Sequence, residues 1–347
     1  MSLLNAVNIA PTEIKSAGVN IGYGNVKVKT DGGYFQYTSD VSRSSDRRFQ
    51  DNFGAENDLT QHVTYNGVHY EVGEGACLLS APRRRKTIFT FWAGTEPYMV
   101  LRQSVLDRLA AEGADWMITL GVPITELGDD EYTKKVQDLW LGEHDTPNGK
   151  IRIHKAFVVA EPSGALFYYG TNVVSLDVLR QQNLTIWDFG YFTTLGTTHH
   201  RLHADKHNTA QVEIGVSRVA EHITEALRKT YFDERDVVEV EMAMLGKWPL
   251  SIDNQLIDLA PFKANAVQEV GSDIVNKMRT LMPNPASRIY LVGGGAHLFS
   301  EMVMQAYPDK RVDVCDSPQQ ANAHGLWLLT RYQLQQLTKA QALKAAA

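Results

Sequence analysis

No window of the sequence holds the roughly 18 or more consecutive apolar residues that a membrane-spanning helix needs. The first residues, MSLLNAVNIAPTEIKS, lack a basic start followed by an apolar block and a cleavage site. A soluble, unexported protein with no membrane partner is therefore expected. Cysteine is scarce: Cys77 and Cys315 lie far apart and fit no metal or redox spacing, so a reducing cytoplasm is the simplest setting. An excess of positive charge is also missing. Thirty-four Lys and Arg stand against 40 Asp and Glu, a net charge of −6, which leaves no broad basic face to release counterions from a polyanion. Direct nucleic-acid binding is not expected, and the one tight basic run, Arg83-Arg84-Arg85-Lys86, reads as a solvated loop. No repeat of fixed short period is visible.

What is present is globular. Apolar residues make up 44% and charged residues 21% of 347 positions, a length beyond the size at which one core usually keeps growing, so two domains are expected. Ser16–Ile21 and Val26–Thr30 alternate apolar and polar residues around Gly22-Tyr-Gly24 and predict a hairpin. Residues 34–95 are polar and uneven, a small inserted subdomain. Within it Gln61–Tyr65 and Val68–Val72 flank Asn66-Gly67, a strong hairpin signal. Helical spacing follows from Pro97 to about Ala114, then a buried strand from Trp116, a helix over 130–141 and a strand over 151–160. The second half predicts a strand at Thr185–Trp187, a His-rich hairpin, a helix from Gly215 to Thr230, and a long helix over 260–282 ended by Pro283 and Pro285. A short strand at Ser287–Val292 and a helix over 318–337, packing back on the first half, complete an α/β pattern.

Three glycine-rich turns follow strand-like runs: Asn20-Ile-Gly22-Tyr23-Gly24-Asn25, Asp188-Phe-Gly190-Tyr191-Phe192-Thr193-Thr194, and Gly293-Gly294-Gly295-Ala296. Glycine is first a turn residue, and each motif alone is weak. Together they suggest two half-molecules closing on one nucleotide. A triphosphate with its Mg²⁺ needs backbone donors, hydroxyls and a few carboxylates or amides around the metal's water shell. The first turn offers Gly22, Tyr23, Gly24 and Asn25, with Lys27 as a point charge. The second offers Gly190, Tyr191, Phe192 and the Thr193 and Thr194 hydroxyls, with Asp188 for the Mg²⁺ shell. The third, opening a helix, suits a sugar or α-phosphate.

In these segments the chain resembles the actin-like ATPase superfamily, and within it the plasmid-segregation actins of the ParM/StbA type. The phosphate-1, connect-1, phosphate-2, adenosine and connect-2 segments are similar to residues 19–29, 156–166, 185–195, 289–299 and 318–329, an order that covers nearly the whole chain. Gly121-Val-Pro123 resembles the Gly-Leu-Pro turn of that branch, and Ala321-Asn322-Ala323-His324-Gly325 its Ala-Asn-Ala-Arg-Gly signature. The resemblance implies an actin-like α/β fold, two ribonuclease-H-like domains flanking a nucleotide cleft. Domain I would comprise 1–165 and 318–347 with the insertion at about 34–95, and domain II 166–317. It implies that Asp188 orders the Mg²⁺ waters and that Glu161 orients the attacking water, positioning and electrostatics being most of phosphoryl transfer. By itself Glu161 also fits a surface residue before a Pro turn. Where the family usually has Asp this chain has Asn20, which keeps the oxygen but not the charge, so Mg²⁺ should be held less strongly or hydrolysis should slow.

The function implied is a filament-forming ATPase, with GTP a possible substrate, whose subunits join head to tail. It would segregate plasmid DNA through an adaptor protein bound at a centromere-like site. A small-molecule kinase of the same superfamily and a non-segregating cytoskeletal scaffold are the alternatives. His199, His203 and His207 have metal-compatible spacing only on a helix; after the second turn a hairpin is expected, and with His200 they read as a solvated or subunit-contact loop. Trp116, Trp140 and Trp187 lie in apolar runs and read as core.

Overall fold

Gly18 shows how the architecture begins. It sits in β1 (Lys15–Ile21), whose residues beyond Lys15 are all buried, whereas β2 (Asn25–Thr30) alternates half-buried and buried positions. A strand buried on both faces belongs at a sheet centre and one with alternation nearer an edge. The computed structural model describes residues 13–44, 60–79, 91–124, 127 and 130–345; Arg83–Lys86 lies outside them.

β1, β2 and β3 (Tyr34–Thr38) form an antiparallel meander. A small sheet follows, with β4 (Val41–Arg43), β5 (Thr60–Tyr65) and β6 (Val68–Gly73) in the order β4-β6-β5, and then α1 (Glu74–Leu79). The β5–β6 turn has φ of 50° at Asn66 and 76° at Gly67, the left-handed pair that an Asn-Gly hairpin requires. α2 (Glu96–Glu112) is capped by Thr95, whose hydroxyl accepts from the Tyr98 amide at 3.3 Å. β7 (Asp115–Val122) runs parallel to β1. After α3 (Asp130–Trp140), β8 (Gly142–Thr146) and β9 (Gly149–Ala160) complete a six-stranded sheet, order β3-β2-β1-β7-β9-β8.

The chain then crosses over through α4 (Glu161–Tyr168), one π-helical turn at Tyr169–Val173 and α5 (Leu176–Leu179). β10 (Asn183–Phe189), β11 (Thr194–His200) and β12 (His203–Val212) make a second antiparallel meander. α6 (Ser217–Tyr231), α7 (Val237–Met244), the hairpin β13 (Ser251–Ile252) with β14 (Gln255–Leu256), and α8 (Ala260–Leu281) come next. β15 (Arg288–Val292) lies parallel to β10, and beyond α9 (Ala296–Ala306) the strand β16 (Arg311–Val314) closes the order β12-β11-β10-β15-β16. Each of the two large sheets thus contains a three-stranded meander whose first strand pairs in parallel with a later strand, which itself pairs in parallel with one further on.

α10 (Ala321–Ala345) returns to pack on α4, β1 and β7. Its approach depends on glycine: a Cβ on Gly18 would overlap the α10 backbone at Trp327 and Ala323, and one on Gly325 would overlap the carbonyl of Gly164. Trp116, Trp140 and Trp187 are fully buried, as their apolar runs predict. Two expectations need correction. Residues 161–168 are a helix, with Pro162 in its first turn where no amide partner is lost, so Glu161 opens a helix and does not precede a turn. His199 is buried in β11, paired with Ala204 across the hairpin, with neither ring nitrogen hydrogen-bonded, while His200, His203 and His207 are exposed. The hairpin scatters the four histidines as expected, but His199 is core, not loop. Among the described residues no group of three or more His, Cys, Asp or Glu is placed to hold a metal ion.

Candidate nucleotide site

The turns after β1 and β10 face each other across a cleft of about 770 Å³ between the two sheets. Asn20, Gly22, Tyr23, Gly24, Asn25, Lys27, Glu161, Asp188, Gly190, Tyr191, Phe192, Thr193 and Gly294 all line it. Gly293 and Gly295 do not. Their amides donate to the carbonyls of Pro318 (2.9 Å) and Phe189 (3.1 Å), and they fasten the third turn to β10 and to the segment leading into α10. Gly293 has φ of 87°, and a Cβ there would overlap Asp188.

The glycines therefore do different work from one another. Of those in the three turns only Gly293 needs a left-handed backbone. The amides of Gly22 and Gly190 close their own turns, donating to Asn25 at 3.1 Å and Thr193 at 2.9 Å, and so are not offered to an anion. The amides of Gly24, Phe192, Thr193 and Gly294 donate to no backbone carbonyl among the described residues, and these are the donors a phosphate could take. Gly24 is glycine because the second turn is so near: a Cβ would lie 2.6 Å from that of Tyr191.

Aromatic side chains span the cleft floor, which glycine counting does not reveal. Tyr23 stacks on Trp92 with centroids 4.7 Å apart and meets the edge of Phe192 at 5.4 Å. Phe192 packs on Tyr191 at 4.8 Å, and the Tyr191 hydroxyl donates to Glu241 at 2.7 Å. Trp92 is itself pinned by its indole N–H to the Ile21 carbonyl at 3.0 Å. Towards the rim, Lys247 after α7 pairs with Glu74 of α1 at 3.1 Å, joining the two walls. Glu74, Trp92, Glu241 and Lys247 all line the cleft and none was singled out from sequence.

Asp188, the last polar residue of β10, is the most buried charge in the cleft. Burial raises its carboxyl above the usual carboxylate range, opposed by the field of Lys27 and by the Asn322 amide, which donates to Oδ2 at 2.6 Å. A carboxylate so placed is short of compensating positive charge. Asn20 is buried in the facing turn. Glu161 reaches the same space from the first turn of α4, its Cγ 3.3 Å from where a Cβ on Gly121 would be, so Gly121 leaves it room. An electron-rich set of oxygens, buried at Asn20 and Asp188 and half-buried at Glu161, with one under-neutralised carboxylate fits a hydrated Mg²⁺, whose waters need oxygen acceptors.

This pair of sheets around a cleft is the actin-like fold, and residues 18–164 match the family described as actin like proteins N terminal domain. Solved structures agree over nearly the whole chain. An archaeal actin homologue solved in complex with ADP superposes with TM-score 0.72 at 15% identity, covering 92% of this chain and all of its own. The ParM of a 15-stranded filament from Clostridium botulinum gives 0.71 at 17%, covering 92% and 99%. The actin-like protein Alp7A gives 0.70 at 15%, covering 95% and 99%. Identities this low speak for the fold alone. No curated protein matches the chain in sequence. No helix among the described residues is long and apolar enough to cross a membrane.

Proposed function

We propose that the chain is a nucleotide-dependent, polymerising actin-like ATPase of two domains, 1–165 with 318–347 and 166–317, that works in the cytoplasm. The observation carrying this reading is the convergence of Asn20, Asp188 and Glu161, from three separate elements, on one cleft whose turns keep several amides unused. ATP, or GTP, would lie between the sheets with its phosphates on the Gly24, Phe192 and Thr193 amides and near Lys27. Asp188 and Asn20 would hold Mg²⁺ through water, and the ion would neutralise charge on the phosphate oxygens. Glu161, a carboxylate with the room that Gly121 gives it, would accept the hydrogen bond of the attacking water and align it.

Assembly follows from the same reading. A head-to-tail contact is heterologous and does not close, so it grows an open filament, and hydrolysis after assembly would weaken it. The net charge of −6 supports a division of labour in which an adaptor protein holds a centromere-like DNA site and the filament moves it, segregating a plasmid. Electron microscopy and light scattering with ATP and Mg²⁺, and again with GTP, test this. Filaments that appear with nucleotide and shorten as phosphate is released are expected. A protein that stays monomeric or dimeric while a small substrate stimulates ADP release would instead be a kinase.

A further inference from the structure

Asn322 is the residue of the cleft whose bonding is half finished. It lies in the first turn of α10, is buried, and lines the cleft beside Asp188. Its Nδ2 donates to Asp188 Oδ2 at 2.6 Å, a short charge-assisted bond, while its Oδ1 is buried and has no partner. A buried amide oxygen left unpaired costs free energy unless something else satisfies it. The residue has little freedom to turn away, because α4 backs onto it: a Cβ on Gly164 would lie 3.0 Å from the Asn322 Cα and overlap its carbonyl. Asp188 is clamped likewise, by Asn322 on one carboxylate oxygen and by Gly293 beside the other.

We infer that Asn322 is a positioning residue for the divalent cation that accompanies the nucleotide. Its N–H fixes the Asp188 carboxylate, and its free Oδ1 accepts a hydrogen bond from a cation-bound water. It makes up an oxygen in a site where Asn20 brings no charge. The inference rests on the reading of the cleft as a nucleotide site. It also gives α10, which packs on the first sheet, a direct hold on a carboxylate of the second.

The test is Mn²⁺ binding to the full chain with ADP, followed by electron paramagnetic resonance, beside ADP binding in EDTA. Asn322→Ala is expected to weaken Mn²⁺ binding about 10- to 100-fold, the usual effect of removing an outer-shell partner, with ADP affinity in EDTA unchanged. Asn322→Asp keeps the size and sets two carboxylates at hydrogen-bond distance, so they share a proton that the cation must displace. Its Mn²⁺ affinity should therefore climb with pH more steeply than that of the wild type. Should Asn322→Ala fail to fold, Asn322→Ser, which shortens the side chain, is read in the same two titrations and decides in its place. Equal losses with and without Mn²⁺, or wild-type behaviour in both variants, would overturn the role of Asn322 and leave the nucleotide site standing. Wild-type protein that binds no ADP at all would overturn both.

Discussion

The crossing of α4 and α10 makes the sharpest stability prediction. Gly325 and Gly164 meet backbone to backbone: a Cβ on Gly325 would overlap the Gly164 carbonyl and stand 3.0 Å from its Cα. Main-chain atoms cannot rotate aside, so Gly325→Ala must push the helices apart along their whole crossing. A gap of 0.5–1 Å already forfeits roughly a quarter to a half of the dispersion energy of each contact. Overpacking of this kind costs about 1–3 kcal/mol or more, against a gain of about 1 kcal/mol from replacing a helical glycine by alanine. We expect a net loss of about 2 kcal/mol or more, because a backbone clash belongs at or above the top of that range. At about 2 cal/mol/K per residue of unfolding entropy, that lowers Tm by about 3 °C or more for a chain of this length. Gly33→Ala, just before β3, is the control: a Cβ there would meet nothing within 4 Å, and Tm should move by a degree or so at most. Thermal unfolding followed by circular dichroism reads both. A Gly325→Ala protein as stable as wild type, or more stable as helix propensity alone would make it, refutes the close crossing.

Three further changes probe other parts of the molecule. Burial pushes the His199 imidazole down to about 4, with His200 adding repulsion, whereas in the unfolded chain it titrates near its ordinary 6.5. The unfolded state therefore binds the extra proton between these values, and stability, complete above about pH 6.5, falls towards pH 4 by about 3 kcal/mol. His199→Leu should flatten that part of the profile in urea titrations, and an unchanged slope would mean the ring is accessible to protons. Asn20→Asp should raise ATP hydrolysis without changing nucleotide-dependent assembly; equal or lower turnover counts against its place beside the cation. Lys247→Ala removes a half-exposed cross-cleft pair and should alter stability by under about 1 kcal/mol, yet speed release of a fluorescent ADP analogue. Unaltered release would leave the pair without a part in closure.

Much of this was legible from residues, and the part that was not has physical causes. Asn66-Gly67 and the alternation around Gly22 set local geometry through backbone preferences that a few residues carry, and the hairpins sit where these predict. α7 is different. Val238-Glu239-Val240-Glu241 has the period of a strand, and only Asp236, accepting from the Val238 amide at 2.8 Å, signals a helix start. The helix forms because its apolar side, Val240 and Met244, packs into the second core, which is tertiary information. Glu241, on the same helix, reaches the cleft only as a result.

The same distinction separates the glycines of the site. Their spacing marks where the chain turns, but whether an amide is free for a phosphate depends on what else lies within reach of it. Gly22 and Gly190 spend theirs inside the turn, and Gly293 and Gly295 spend theirs on neighbouring segments. The donors left over fall on Phe192, Thr193, Gly24 and Gly294, half of them not glycine. Gly24 serves also, and Gly121 only, by the absence of a side chain, one admitting Tyr191 and the other Glu161. A glycine motif in such a cleft is thus mainly a record of close approach between separately folded segments. Substituting Gly24 should separate the two turns before it removes any hydrogen bond to a nucleotide.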